Sequence, residues 1–126
     1  QKEFFDKDIM NNRECGAAGE EIARKYLEKQ KIKVIESNYH ASRSAEIDIV
    51  AKDKDVYAFV EVKMRTGLRN GYGREAVTKS KQKNIRYAAA HYLMTRRLGE
   101  VNCRFDVIEI TAIGGEVNIE YFKNCF

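Results

Sequence analysis

Glu61 and Lys63 stand two residues apart in the run Phe59-Val60-Glu61-Val62-Lys63, and Glu46 and Asp48 stand two apart in Ala45-Glu46-Ile47-Asp48-Ile49-Val50. Side chains of a strand alternate between its faces, so each charged pair shares one face and the intervening Val and Ile take the other. Carboxylates gathered beside an ammonium in apolar sequence are costly unless something binds there. A hard divalent cation, Mg²⁺ or Mn²⁺, takes oxygen from a few carboxylates and keeps positions for water and phosphate. Asp48 and Glu61 can supply two carboxylates, and the main-chain carbonyl of Val62 a third oxygen. Lys63 beside such an ion would orient an attacking water, help deprotonate it, and balance charge growing on a phosphorane-like transition state. The chemistry expected of this set is phosphodiester cleavage.

The elements that must position these groups can be read from periodicity. Lys52, Asp53, Lys54 and Asp55 are polar enough to turn a hairpin, so the two segments pair antiparallel. With Lys54 and Asp55 at the tip, Asp48 falls opposite Glu61 and Glu46 opposite Lys63. A four-residue loop would slip this register by two and keep all four groups on one face. Ile22, Ala23, Tyr26 and Leu27 give a helical pattern from about Arg13 to Gln30, with Asn12 as its cap and Gly16 and Gly19 placed for close packing. Glu20 lies on the face of Ala23 and Leu27. There it either joins the metal site, directly or through a water, or bonds a nearby basic side chain. A strand follows from Ile32 to Tyr39. A second helix runs from about Thr78, its N-cap, to Leu98, with Gln82 on the face of Ile85 and Ala89 and with Arg96 and Arg97 closing it before Gly99. Cys103 to Thr111 and Glu116 to Phe122 form a hairpin around Gly114 and Gly115. Helix, three strands, helix, two strands predicts an α/β sandwich with a mixed sheet, one domain over residues 13–126 behind an arm at 1–12.

The balance of 44% hydrophobic and 33% charged residues suits one compact core. The net charge of +4 is unevenly spread. From Lys63 to Arg104 there are eleven Lys and Arg against Glu75 and Glu100, a local +9, while the remainder sums to −5. A polyanion-binding face beside an acidic pocket follows, and nucleic acid is the commonest such partner; a merely solvated basic surface is the plainer reading. Arg65, Arg69 and Arg74 stand among Gly67, Gly71 and Gly73, with Tyr72 able to stack on a base, so this segment reads as a phosphate-seeking loop or as an ordinary surface loop. Lys79, Lys81, Lys83 and Arg86 crowd the first turns of the second helix, which its dipole disfavours unless an anion lies nearby.

No apolar run approaches the roughly 20 residues that span a bilayer, and the first residues lack a leader-like apolar stretch, so no membrane partner is expected. Cys15, Cys103 and Cys125 are odd in number and widely spaced, which fits a reducing cytoplasm rather than a disulfide framework or zinc knuckle. His40 and His91 have no companion at ligand spacing, leaving His40 as a phosphate or surface contact. Asp106 is expected in a structural salt bridge, Cys103 as a buried thiol, and Tyr87 and Tyr92 as packing residues.

Ala45-Glu46-Ile47-Asp48, Phe59-Val60-Glu61-Val62-Lys63-Met64-Arg65, Glu75-Ala76-Val77-Thr78 with Lys81-Gln82, and Arg104-Phe105-Asp106-Val107, together with Gly16, Gly19 and Glu20, resemble the YraN family of small bacterial proteins over about residues 13–110. The resemblance implies a restriction-endonuclease-like three-layer sandwich, a central mixed β-sheet flanked by helices, similar in its core to archaeal Holliday-junction resolvases and other PD-(D/E)XK nucleases. It carries the catalytic and metal-binding pattern onto Asp48, Glu61 and Lys63, with Glu20 matching an extra acid on the first helix and Gln82 a polar residue on the helix after the E-x-K strand. It leaves Glu46 in a supporting role, as a partner for Lys63 or a neighbouring arginine. Ile47 stands where Pro often precedes the first Asp, and Ala45 where Gly is usual; neither is a metal ligand. The implied activity is Mg²⁺- or Mn²⁺-dependent cleavage of DNA, and a resolvase-like role would require two symmetric sites, hence a homodimer. The alternative on the same fold is a nucleic-acid-binding module without catalysis.

Overall fold

A computed structural model describes residues 12–66 and 77–126. The chain runs α1 (Asn12–Lys29), β1 (Lys33–His40), β2 (Glu46–Asp53), β3 (Val56–Thr66), α2 (Lys79–Thr95), β4 (Asn102–Ile113) and β5 (Glu116–Phe122). The strands form one five-stranded sheet in the order β1-β2-β3-β4-β5. All neighbours are antiparallel except β3 and β4. That parallel pair needs a crossover, and α2 provides it.

Both faces of the sheet are covered, giving the three-layer α/β sandwich expected. On one face Ile22, Ala23 and Leu27 of α1 pack with Ile49, Ala51, Ala58, Val60, Ile108 and Ile110. On the other, Ile85, Ala88, Ala89 and Tyr92 of α2 pack with Tyr39, Ile47, Val50, Phe59 and Val107. Central β3 therefore has a continuous apolar run, Ala58-Phe59-Val60, as a strand buried on both sides must. Gly19 serves the close approach of α1, since a Cβ there would lie 3.2 Å from Met64 Sδ, whereas a Cβ on Gly16 would meet nothing within 4 Å.

Both helices end in the same way. Lys31 has φ 65° and its N–H donates to the Glu28 carbonyl at 3.0 Å, while Ile32 N–H reaches the Leu27 carbonyl at 2.9 Å. Arg97 (φ 56°) and Leu98 repeat this with Met94 (3.1 Å) and Leu93 (3.0 Å). These are Schellman endings, each with its apolar contact in the core, but with Lys and Arg at the left-handed position where glycine is usual. Gly99, expected to mark the end of α2, comes two residues after that position. Asn12 is the first residue of α1 rather than the residue before it.

Asp106 is fully buried and fully used, as the salt-bridge reading required. Arg104 Nε donates to both its oxygens at 3.1 and 3.0 Å, Tyr121 Oη to Oδ2 at 2.5 Å, and Asn124 N–H to Oδ1 at 2.8 Å. Arg104 also holds Asp53 at 2.9 Å, tying the β2–β3 hairpin to β4 and the C-terminal residues. Two packing expectations are corrected. Cys103 is exposed near the start of β4, and Tyr87 is 57% exposed on the outer side of α2, while Tyr92 is buried as expected.

Candidate active site

The hairpin tip is Lys54–Asp55, and the β2–β3 ladder runs from Asp53 opposite Val56 to Ile49 opposite Val60. There the regular pairing stops, although β2 begins at Glu46 and β3 continues to Thr66. The next step of the same register sets Asp48 beside Glu61. Val62 N–H donates to Asp48 Oδ2 at 2.8 Å, so a side chain satisfies a strand donor where the two backbones part. Simple alternation also fails at this point. Ile47 and Val50, three residues apart, both pack on the α2 side, while Ile49 and Ala51 pack on the α1 side. Asp48 sits at the slip, so the expected single charged face is interrupted where the regular pairing of β2 and β3 ends. Ile47 and Ala45, where the family pattern has Pro and Gly, are buried in the α2-side core.

Glu61 is 9% exposed. Its carboxyl neighbours that of Asp48, and Lys81 Nζ lies 3.6 Å from its Oε2. Burial, and then the charge of Asp48, push the Glu61 pKa up to about 7 against the opposing ammoniums of Lys81 and Lys63. Asp48 is likewise raised, chiefly by burial, with the Val62 N–H and Lys81 acting the other way. Two neighbouring acids, one buried and one half-buried, resist ionising together, which is the electrostatic condition that a bound cation relieves. Their hard oxygens suit Mg²⁺ or Mn²⁺.

Glu20 is half-buried and accepts a hydrogen bond from Asn38 Nδ2 at 2.8 Å, an amide rather than the basic partner expected. Burial raises its pKa, the Asn38 bond opposes this, and the charges of Asp48 and Glu46 add to the rise. Asn38 takes φ 54° between Ser37 and Tyr39, whose partners Ile49 and Ile47 flank Asp48. Among the described residues no three His, Cys, Asp or Glu side chains are grouped as a metal centre. Glu20 therefore borders the Asp48–Glu61 pair electrostatically. Lys63 is half-buried two residues along β3, alongside the buried Glu109 of β4 in the parallel register.

Glu46 is corrected: its Oε2 lies 3.3 Å from His40 Nδ1, because the β1–β2 register sets these two residues opposite one another. Gln82 donates to its own helix entry, at the Val77 carbonyl, 2.8 Å away. Arg86 stacks over Phe105 and Phe126, with its guanidinium carbon 4.9 and 5.6 Å from the ring centres. Lys79 and Lys83 are exposed, and Arg65 is half-buried on the strand face of Lys63. Arg69, Tyr72 and Arg74 lie outside the described residues, as does most of the 1–12 arm. Lys81, assigned to the nucleic-acid surface, lies against Glu61, a contact the sequence did not indicate. The crowding of lysines at a helix N-terminus, where the dipole calls for an anion, left that anion unnamed; the anion present is Glu61.

Among the described residues no helix is long and apolar enough to cross a membrane. Residues 19–110 match the model of the "Uncharacterised protein family UPF0102". A UPF0102 protein of Acetivibrio thermocellus is 43% identical over 100 residues, 79% of this chain and 77% of that protein. One from Syntrophotalea carbinolica is 43% identical over 88% of this chain and 89% of its own length, and one from Clostridioides difficile 40% identical over 93% and 100%. The family match spans the Asp48–Glu61 hairpin, α2 with Lys81, and the Arg104–Asp106 clamp, so the chain belongs to the UPF0102 (YraN) family.

Proposed function

We propose that this protein is a divalent-metal-dependent nuclease that hydrolyses DNA phosphodiesters. The observation that carries the reading is the pairing of buried Glu61 with half-buried Asp48 at the point where β2 and β3 part, beside the basic first turn of α2. The Asp48 and Glu61 carboxylates and the Val62 main-chain carbonyl would hold the ion, with Glu20 reaching it through a water. When bound, Mg²⁺ or Mn²⁺ would supply Lewis acidity and a more acidic water. Lys63, which already offsets charge at Glu61, orients the attacking water and balances charge on the phosphoryl oxygens. Arg65, Lys79 and Lys83, with Arg69 and Arg74, hold flanking phosphates and fix the strand's position without reading sequence. Water adds to phosphorus, the bridging P–O bond breaks, and the leaving oxygen takes a proton.

Incubation with flapped, branched and linear DNA and Mg²⁺ or Mn²⁺ tests this. Cleavage is expected from the parent protein and its loss from Glu61→Ala and Lys63→Ala; variants that cut like the parent sink the assignment. The neutralisation of Glu61 by Lys81, 3.6 Å away, favours a second reading, a nucleic-acid-binding module whose carboxyl pair no longer takes metal. It predicts salt-sensitive DNA binding with no metal-dependent cleavage.

A further inference from the structure

Glu61 has two neighbours of opposite consequence. Asp48 makes its ionisation harder, and Lys81 supplies the cation that makes it tolerable. Lys81 is fixed at its backbone, while its tip, paired with Glu61, is open to solvent. Thr78 Oγ1 accepts its N–H at 3.1 Å as the N-cap of α2, and the preceding Val77 is anchored in the core. The side chain itself is 42% exposed, against 10% for Glu61. A four-carbon stem on a pinned helix turn can therefore swing its ammonium without moving the fold. The same turn, Lys79 to Lys81, carries no acid, so an anion other than Glu61 would be equally welcome there.

We infer that Lys81 is an exchangeable counter-ion: it neutralises Glu61 while the site lacks a divalent cation, and it moves to the scissile phosphodiester when that cation takes Glu61. This rests on the reading of Asp48 and Glu61 as a divalent-cation site. A dication and an ammonium cannot both sit within contact distance of one carboxylate without strong mutual repulsion, so one displaces the other. The displaced ammonium then lies beside the phosphate that the metal attracts. Lys63, lying in the strand next to Glu61, keeps its place while Lys81 exchanges.

The consequence has a sign that a purely structural or purely DNA-binding lysine would not produce. Removing the charge of Lys81 should tighten metal binding and slow cleavage. Calorimetric titration with MnCl₂ at about pH 8, where carboxylates are largely ionised, reads the first effect. Lys81→Gln, which keeps the stem, and Lys81→Ala are expected to bind Mn²⁺ about threefold or more tightly than the parent. Lys81→Arg should keep the parent's affinity and recover part of the cleavage rate. Lys83→Ala carries the same charge change without the Glu61 contact, and should leave metal affinity at the parent value. At saturating Mn²⁺, Lys81→Gln should cleave about tenfold more slowly. Unchanged or weakened Mn²⁺ affinity in both Lys81→Gln and Lys81→Ala overturns the exchange while leaving the metal site standing. No Mn²⁺ uptake by the parent removes the metal site, and the exchange with it.

Discussion

Glu61 is held between a repelling acid and an attracting lysine, and its burial makes that contest large. In the folded state its pKa of about 7 lies above its ordinary 4.5, so between those values the folded protein binds more protons than the unfolded chain. Stability therefore falls as pH rises through that window; the penalty is absent below it and complete above it. Glu61→Gln removes the ionisable group and should stabilise the metal-free protein by about 2 kcal/mol at about pH 8, and by little at about pH 5. Urea unfolding at the two pH values reads the difference. The same variant should fail to cleave DNA, which is the trade expected where a functional acid is kept in a place that disfavours its charge.

The two helices are aimed by single residues, one at an N-cap and one in mid-helix. Thr78 caps α2 and presents Lys81 to the sheet, while Gly19 lets α1 settle onto Met64 and brings Glu20 towards Asp48. Their C-termini carry a removable strain. Lys31 and Arg97 occupy left-handed conformations that cost a residue with a Cβ about 1 kcal/mol or more, and their charge recovers only about 0.3 kcal/mol from the helix dipole at an exposed end. Lys31→Gly and Arg97→Gly should each raise stability by about 0.5–1 kcal/mol, measured by thermal unfolding. Neither change touches the Asp48–Glu61 pair, so metal affinity serves as the check that the gain is local.

Over the whole molecule, charge and scaffold are segregated. The Arg104–Asp106–Tyr121–Asn124 network locks the sheet and the chain end together, and the segment from Lys63 to Arg104 holds the basic excess. That excess is not uniformly available: Lys81 is engaged by Glu61, Arg86 by two rings and Arg96 by Glu36, whereas Lys79 and Lys83 are exposed. DNA binding should weaken steeply with salt, and the Lys79→Ala/Lys83→Ala pair should reduce the slope of log affinity against log salt by about 1–2. Fluorescence anisotropy over a salt series measures it. A slope unaffected by that pair would move the binding face elsewhere.

Features set by local interactions were legible in the residues alone. The parity of the β2–β3 hairpin follows from its two-residue tip, so Asp48 beside Glu61 was legible. Val62 was legible only as a candidate ligand, although its N–H secures Asp48. Element order and the capping of α2 by Thr78 were legible for the same local reason, and the family motifs supplied the three-layer arrangement. Tertiary structure decided what depends on which element covers which surface. Tyr87 is exposed because α2 buries only the side carrying Ile85, Ala88, Ala89 and Tyr92. Glu46 took His40 because register with β1, not β3, fixed its neighbour. Above all, Lys81 meets Glu61 from twenty positions further along the chain, a contact that no periodicity encodes, because it exists only once α2 has crossed over and docked on the sheet.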